Sequence, residues 1–407
     1  MKNRRAVVTG LGAITAIGLD AASFWQNLLK SRSGLDPVTL FDASGYRCQK
    51  AAEVKGFLPN LLFSSRQLRR MSRCDQLGLK AAAEAIEDAR LNLEKEDRER
   101  IGIFVGGGAG GIFSAEEYRL DMYLKGPRRA RPSLLIPFAT CTLTDHLAAR
   151  YGLLGPRATI ATSCSSSATA IGYALDAIRA GEVEAAIVGG SESLSRLTFG
   201  GFNSLRSLDE DGCRPFDLNR KGLSLGEGAA FLVIEEGDRA RRRSAKIYAE
   251  VLGYGLTGDG HHMTAPDWGG DGACRAMEAA LLDSRLSPGE VGYINAHGTG
   301  TPANDLAETR SIKKLFGRRA GKIPVSSIKS MIGHCLGAAG ALEAVATVLT
   351  VKEDRIPPTI RYQTPDPECD LDYVPNVSRT AAVNAALSNS FAFGGNNTVL
   401  VFGKYKG

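Results

Sequence analysis

The sequence predicts an α/β fold, built on a mainly parallel sheet with helices covering both faces. Two observations carry this. The short strand-like runs are apolar almost throughout, which marks strands buried on both sides. They alternate with longer segments that place apolar residues at helical spacing or consist almost wholly of small residues. At 407 residues the chain is long enough for a large core, and no low-complexity stretch or long linker divides it into free domains.

The elements follow in order. Lys2-Asn3-Arg4-Arg5 ahead of an apolar run faintly resembles a secretory leader. Thr9, Gly10, Gly12 and Thr15 interrupt that run, so a strand over 6–9 entering a glycine-rich turn is expected instead. Leu68, Met71, Leu79, Ala82 and Ile86 predict one helix over 65–89. A strand over 101–105 ends in the glycine-rich run 106–111, and another over 158–162 leads into Cys164. A small-residue helix over 168–180 then ends at Gly181, a C-cap signal. Further strands are expected over 185–188, 229–235, 247–251, 291–295, 386–389 and 398–402, with helices over 302–316 and 335–350. A division near Leu252 gives two α/β halves, 1–252 and 253–407.

Composition narrows the function class. Lys plus Arg is 50 against 44 for Asp plus Glu, a net charge of +6. That does not mark a nucleic-acid binder, though a basic patch suits an acidic partner. The eight cysteines stand singly with no C-x-x-C pair, which argues against a zinc site or a disulfide scaffold. They read as reduced thiols of a cytoplasmic protein. No run approaches the ~18 apolar residues of a membrane span.

Four segments combine reactive and small residues. In Ala161-Thr162-Ser163-Cys164-Ser165-Ser166-Ser167 a strand delivers a cysteine to a helix N-terminus, where free N–H groups and the dipole favour the thiolate. The alternative is an inert buried cysteine. In Asn295-Ala296-His297-Gly298-Thr299-Gly300-Thr301-Pro302 a strand end presents a histidine, where parallel sheets place ligand-facing groups. In the segment 325–334 a polar turn carries Lys329 and His334, and Glu343 on the next helix can pair with Lys329. A buried pair of that kind is costly unless fully satisfied, which favours a site over ordinary surface. The helix start Leu336-Gly337-Ala338-Ala339-Gly340-Ala341 is so small-sided that another backbone must lie close. In Asn389-Ser390-Phe391-Ala392-Phe393-Gly394-Gly395 the turn offers backbone N–H groups to an oxyanion, or is a hairpin. The run 106–111 fits a dinucleotide pattern only permissively, with no acidic residue where one is required. His261 and His262 have no third ligand at useful spacing and read as loop residues.

Taken together, Cys164, His297-Gly-Thr-Gly-Thr-Pro, Lys329-Ser-Met-Ile-Gly-His334 and Asn389-Ser-Phe-Ala-Phe-Gly-Gly resemble the type II β-ketoacyl-acyl carrier protein synthases of the thiolase-like superfamily. The likeness runs from Val7 to Phe402 and includes Arg214-Pro-Phe-Asp and Gly226-Glu-Gly-Ala. It implies an αβαβα five-layer sandwich of two similar halves, the first carrying the nucleophile and the second the catalytic histidines and lysine. It implies a decarboxylative condensation between an acyl group on Cys164 and malonyl-carrier protein. His297 and His334 would stabilise the developing enolate. Lys329 would order the site with Glu343. Cys164 and Phe393 N–H groups would form the oxyanion hole, with Phe393 also a gate beside Gly394. Thr299 and Thr301 would bond the phosphopantetheine arm that arrives on the carrier protein. No metal or other cofactor is expected. Two histidines separate this pattern from the Cys–His–Asn initiating synthases. A thiolase would carry a second cysteine where this chain has Phe393.

The implied partner is an acidic acyl carrier protein, docking on Arg66, Arg69, Arg70 and Arg206 or on Lys125, Arg128, Arg129 and Arg131. The run 239–243 reads as solvated charge. The resemblance also implies a homodimer, or a heterodimer with a ketosynthase-like subunit. The first reading is an elongating ketosynthase of fatty acid synthesis; the alternative is a ketosynthase of a specialised type II polyketide or polyene pathway, to which three departures point: Ser165-Ser166-Ser167 after the nucleophile, the small Ala109 facing the acyl pocket, and the content of the segment 133–146. A non-catalytic chain-length partner is disfavoured by Cys164, His297 and His334 all being present.

Overall fold

A computed structural model describes residues 4–407, so Lys2 and Asn3 of the leader-like start lie outside the described residues. Ten strands form the main sheet. They are β1 (Ala6–Thr15), β2 (Ile101–Gly106), β3 (Arg157–Ile160), β4 (Ala185–Glu192), β5 (Gly228–Glu236), β6 (Ala249–Gly258), β7 (Tyr293–Asn295), β8 (Val325–Ser326), β9 (Ala385–Ala392) and β10 (Asn396–Gly403). Their spatial order is β8-β7-β9-β10-β6-β1-β5-β4-β2-β3.

Outward from the centre, one half runs β1-β5-β4-β2-β3 and the other β6-β10-β9-β7-β8. The second is the first with five added to every number. The senses repeat as well. The inner pairs β1/β5, β5/β4, β6/β10 and β10/β9 are antiparallel. The outer pairs β4/β2, β2/β3, β9/β7 and β7/β8 are parallel. The halves join where Ala6–Val8 pairs antiparallel with Ala249–Val251. The expected mainly parallel sheet is therefore mixed. Continuous apolar runs report burial on both faces, not strand direction. The three-residue turn Phe393–Gly395 between β9 and β10 permits only an antiparallel pair.

The helices that matter here are α1 (Arg73–Asp88), α2 (Ile112–Lys125), α3 (Thr142–Tyr151), α4 (Ser166–Ala180), α5 (Arg196–Ser204), α6 (Asp271–Ser284), α7 (Pro302–Phe316) and α8 (Ala339–Glu353). α1 covers β1 and β5 from outside, and α6 covers β6 and β10. α4 and α8 pack on each other between the two halves, completing the five layers. All but two residues of α8 are buried, as expected of a helix with sheet on two sides.

Two boundaries depart from expectation for local reasons. The glycine-rich segment after Thr9 continues as strand through Thr15. Its glycines serve close packing instead of a turn. A Cβ on Gly12 would stand 2.0 Å from the Ala81 carbonyl oxygen of α1. The equivalent strand repeats the device, with a Cβ on Gly255 2.2 Å from the Ala276 oxygen of α6. The expected helix 65–89 is broken into a short turn, Ser65–Leu68, and α1. Ser72 restarts it: its Oγ accepts from Asp75 N–H at 3.1 Å while the Asp75 carboxylate accepts from Ser72 N–H at 2.7 Å. That capping box fixes the start of α1.

Gly12→Ala should lower stability by about 1–3 kcal/mol, because the methyl group meets backbone that cannot rotate away. Urea unfolding measures it. An unchanged midpoint would mean that α1 can move off β1 freely.

Candidate active site

Each site residue stands at the end of an outer strand or in the turn that follows one. β3 runs into Ser163, whose φ of 56° lies in the left-handed region and turns the chain sharply. Cys164 follows at the mouth of α4, 8% exposed. The three serines after it are buried and paired. Ser165 Oγ donates to Thr162 O at 2.9 Å, Ser166 Oγ donates to Ser163 O at 2.6 Å, and Ser167 Oγ accepts from Ala341 N–H at 2.9 Å. They tie the nucleophile turn to itself and to α8. The two helix starts touch closely, as the small side chains of 336–341 required. A Cβ on Gly340 would stand 2.7 Å from Ala168 N.

His297 stands two residues beyond the end of β7, and Pro302 opens α7 after a turn that contains Thr299 and Thr301. Glu308 of α7 reaches back to accept from His297 N–H at 2.9 Å and Gly298 N–H at 2.8 Å. Asn389 of β9 donates to the same carboxylate at 3.0 Å. Beyond β8, the Lys329 ammonium donates to the His297 carbonyl at 2.6 Å, bonds Glu343, and lies 3.3 Å from His297 Nδ1. The Lys329–Glu343 pair expected from sequence is thus formed, with both side chains 2% exposed. An ammonium has three hydrogens and no lone pair. His297 Nδ1 must therefore accept, which places the ring proton on Nε2.

The rings of His297 and His334 lie 5.3 Å apart at 85°. Both line a cavity of roughly 220 Å³ with Cys164, Thr299, Thr301 and Phe393. A second chamber of roughly 310 Å³ is lined by Gly107, Ala109, Ala161, Leu336 and Gly337. Cys164, Phe202 and Phe393 belong to both chambers. The two phenylalanine rings stack 6.1 Å apart at 22°, so Cys164 sits beside an aromatic partition. Thr299 and Thr301 hydroxyls bond each other at 2.9 Å. Gly394, at the tip of the β9–β10 turn with φ 79°, lines neither chamber; its N–H donates to Met263 O at 2.8 Å. His262 Nδ1 accepts from Thr264 and Ala265 N–H groups at 3.1 and 3.2 Å, a loop role as expected.

The site is water-poor, and burial governs its charges. Burial, with help from Lys329, holds both His297 and His334 well below the ordinary histidine value, so both are neutral. Burial pushes Glu308 and Glu343 up to about 7. It also pushes the Cys164 thiol up to about 12, against the Lys329 charge and the Phe393 N–H aimed at the sulfur. The helix start expected to favour a thiolate is present, but burial outweighs it, and Cys164 rests as a thiol. His334 Nδ1 is buried and has no hydrogen-bond partner among the described residues.

The charged surface separates into two groups. Arg66, Arg69, Arg70 and Arg206 are exposed, and Arg206 stands between Phe202 and Ser207, which line the catalytic cavity. Lys125 and Arg131 are both committed to Asp121, at 2.6 and 2.5 Å, which weakens the second basic cluster; Arg128 and Arg129 remain exposed. The run 239–243 is not merely solvated. Arg239 and Arg243 both bond the buried Glu235, and Arg239 also reaches Glu96 at 2.6 Å. A carboxylate buried at a strand end requires such cations.

Phe202, Glu308 and Asn389 were not singled out by sequence as site residues. Glu308 did leave a signal: Asp305, Glu308 and Ile312 share one buried stripe of α7, and carboxylates on such a stripe need partners. Phe202 left none, because only tertiary packing brings it to Phe393.

The N-terminal domain of the Beta-ketoacyl synthase family matches residues 3–240, and its C-terminal domain matches 248–363. The chain belongs to the β-ketoacyl synthase family. The 3-oxoacyl-(acyl-carrier-protein) synthase 2 of Synechocystis sp. is 45% identical, with 100% of this chain and 99% of that protein covered. The enzyme of the same name from Staphylococcus aureus is 41% identical over the same shares. Among solved structures, the ishigamide ketosynthase/chain length factor superposes with a TM-score of 0.95 at 37% identity, covering 99% of this chain and 100% of that one. As a ketosynthase, the chain has the thiolase-like fold that its duplicated sheet displays.

Glu343→Ala should cost about 3–5 kcal/mol of stability by leaving the Lys329 charge buried and unpaired. Chemical denaturation reads this directly. A loss under about 1 kcal/mol would mean that water or another group takes over the ammonium.

Proposed function

We propose that this ketosynthase catalyses decarboxylative condensation of an acyl thioester on Cys164 with malonyl-carrier protein, in fatty acid elongation. The observation that carries the reading is the meeting of Cys164, His297 and His334 in one cavity, with Lys329 forcing His297 to present Nε2–H. In the first half-reaction the Cys164 sulfur attacks the acyl thioester. The tetrahedral oxyanion is held by the N–H groups of Cys164 and Phe393. Collapse expels the pantetheine thiolate, which takes up the proton that Cys164 gives up. In the second, malonyl thioester loses CO2, and its enolate oxygen receives hydrogen bonds from the two neutral imidazoles. The enolate carbon attacks the acyl-Cys164 carbonyl, and collapse frees β-ketoacyl-carrier protein and the Cys164 thiolate, which takes a proton from water to regain the resting thiol.

In this reading the pantetheine arm enters past Thr299 and Thr301, and the acyl chain lies in the chamber beside Ala109. The chemistry calls for no metal and no cofactor beyond that arm. Eight free thiols fit a reducing cytoplasm. Arg206 at the cavity rim, with Arg66, Arg69 and Arg70, suits an acidic carrier protein. The curated relatives favour fatty acid elongation. A second reading, a specialised pathway with a chain-length subunit as partner, is favoured by the likeness to the ishigamide ketosynthase/chain length factor and by the small wall residue Ala109. A homodimer belongs with the first reading and a heterodimer with the second.

Cys164→Ala should abolish the covalent acyl adduct and all condensation, read by intact-protein mass spectrometry with a panel of acyl-carrier proteins. Condensation by that variant would overturn the nucleophile assignment. Product only with unsaturated or aryl primers, or only with an added subunit, would favour the second reading. Arg69→Glu with Arg70→Glu should raise KM for carrier-protein substrates about tenfold while small thioesters are used normally. An unchanged KM would remove that docking surface. Because both histidines are held neutral, the ring signals of His297 and His334 in NMR should not shift as pH falls through 6.5; a shift there would mean that an imidazole titrates freely.

A further inference from the structure

Glu192 closes β4 and takes no part in the chemistry above. It is 1% exposed, and its partners are backbone N–H groups from two separate segments. Ala109 N–H donates to its carboxylate at 3.0 and 3.3 Å, and Gly337 N–H at 3.2 Å. The N–H groups of Gly108 and Gly110 face it as well. Three of these donors stand on the loop after β2, and the fourth stands three residues beyond His334. The segments are in backbone contact. A Cβ on Gly337 would stand 2.4 Å from Gly108 N, and one on Gly108 would stand 2.4 Å from Glu192 Oε2.

The same residues wall the second chamber, which Gly107, Gly108, Ala109, Leu336 and Gly337 line together with Cys164. Burying a carboxylate with no cation is costly unless its oxygens are saturated, and burial does push Glu192 up to about 7 despite four N–H groups. An alanine or a leucine would fill the space at lower cost. What a carboxylate adds is a grip on two wall segments that, among the described residues, share no direct hydrogen bond.

We propose that Glu192 is a positioning residue for acyl transfer: its carboxylate clamps the 106–111 loop to the Gly337 turn and so sets the bore of the chamber that receives the acyl chain. The inference rests on the ketosynthase reading and deepens it by naming what fixes acyl-chain fit. The joined segments form one continuous stretch of chamber wall beside Cys164, so a short acyl group meets little of it, whereas a long one must lie along it. Loosening the clamp therefore affects long chains selectively.

The test uses the full chain and the variants E192Q and E192D, with acetyl-, octanoyl- and hexadecanoyl-carrier proteins. The rate of Cys164 adduct formation is followed by mass spectrometry, and folding is checked by the thermal transition. In E192Q one carboxylate oxygen becomes an NH2 that opposes the N–H groups. The ratio of hexadecanoyl to acetyl rates should fall about tenfold or more. E192D, which keeps the charge on a shorter arm, should give an intermediate ratio. An equal loss for every chain length, or no loss, would overturn the proposal. If E192Q does not fold, E192D decides by the same ratio. Failure of the unaltered protein to form any adduct would instead sink the ketosynthase reading.

Discussion

One buried ammonium organises the catalytic half of this molecule. Lys329 has three hydrogens, and the structure supplies three acceptors: the His297 carbonyl, His297 Nδ1 and the Glu343 carboxylate. Those acceptors come from the end of β7 and from α8, while Lys329 itself follows β8. A single charge thus joins three elements and fixes which nitrogen of His297 carries its proton. The pair is not a source of net stability, since desolvating both ions offsets much of their attraction. Its effect is specificity. Any arrangement that displaces α8 or the His297 turn strands a charge in a dry interior.

The duplicated topology explains why a site can form there at all. The active residues follow equivalent strands of the two halves. The 106–111 loop follows β2, and His297 closes the gap after β7. Cys164 follows β3, and Lys329 follows β8. Glu192 ends β4, and the Phe393 turn follows β9. These are the parallel strands of each half, whose carboxyl ends open together at the edge of the sheet. The antiparallel strands at the centre carry no catalytic group and serve to join the halves. In the proposed function the two copies of one fold divide the labour, one supplying the nucleophile and acyl chamber and the other the histidines and pantetheine-side cavity.

Much of this was legible in the sequence, and what was not has identifiable causes. Cys164, His297, Lys329 and His334 each sit at an abrupt change from apolar strand to small and polar turn, a pattern visible without coordinates. The Gly340 contact with Ala168 was foreseen because a helix of alanine and glycine has no other use for its surface. Strand direction was not legible, since β5 and β10 are as apolar as their parallel neighbours. The glycines of β1 were misread as a turn because their cause, the backbone of α1, lies about seventy residues away in sequence. The nucleophile's protonation was misread for a related reason. A helix start is local and can be seen in the chain, while burial of the thiol is a sum over the whole fold.

That burial bears on how the proposed reaction is driven. A thiol pushed up to about 12 would be a poor nucleophile if it had to ionise into the cavity before substrate arrived. Transthioesterification exchanges one thiol for another, so the proton Cys164 loses has a destination on the departing pantetheine, and no permanent base is needed. The same dryness keeps His297 and His334 neutral. Neutral N–H donors in a low-dielectric cavity interact weakly with an uncharged thioester and strongly with an enolate or a tetrahedral oxyanion. Stabilisation that appears only as charge develops accelerates the step instead of tightening the ground state. The cost of hiding a cysteine, two histidines and a lysine from water is therefore the condition under which their few hydrogen bonds discriminate between substrate and transition state.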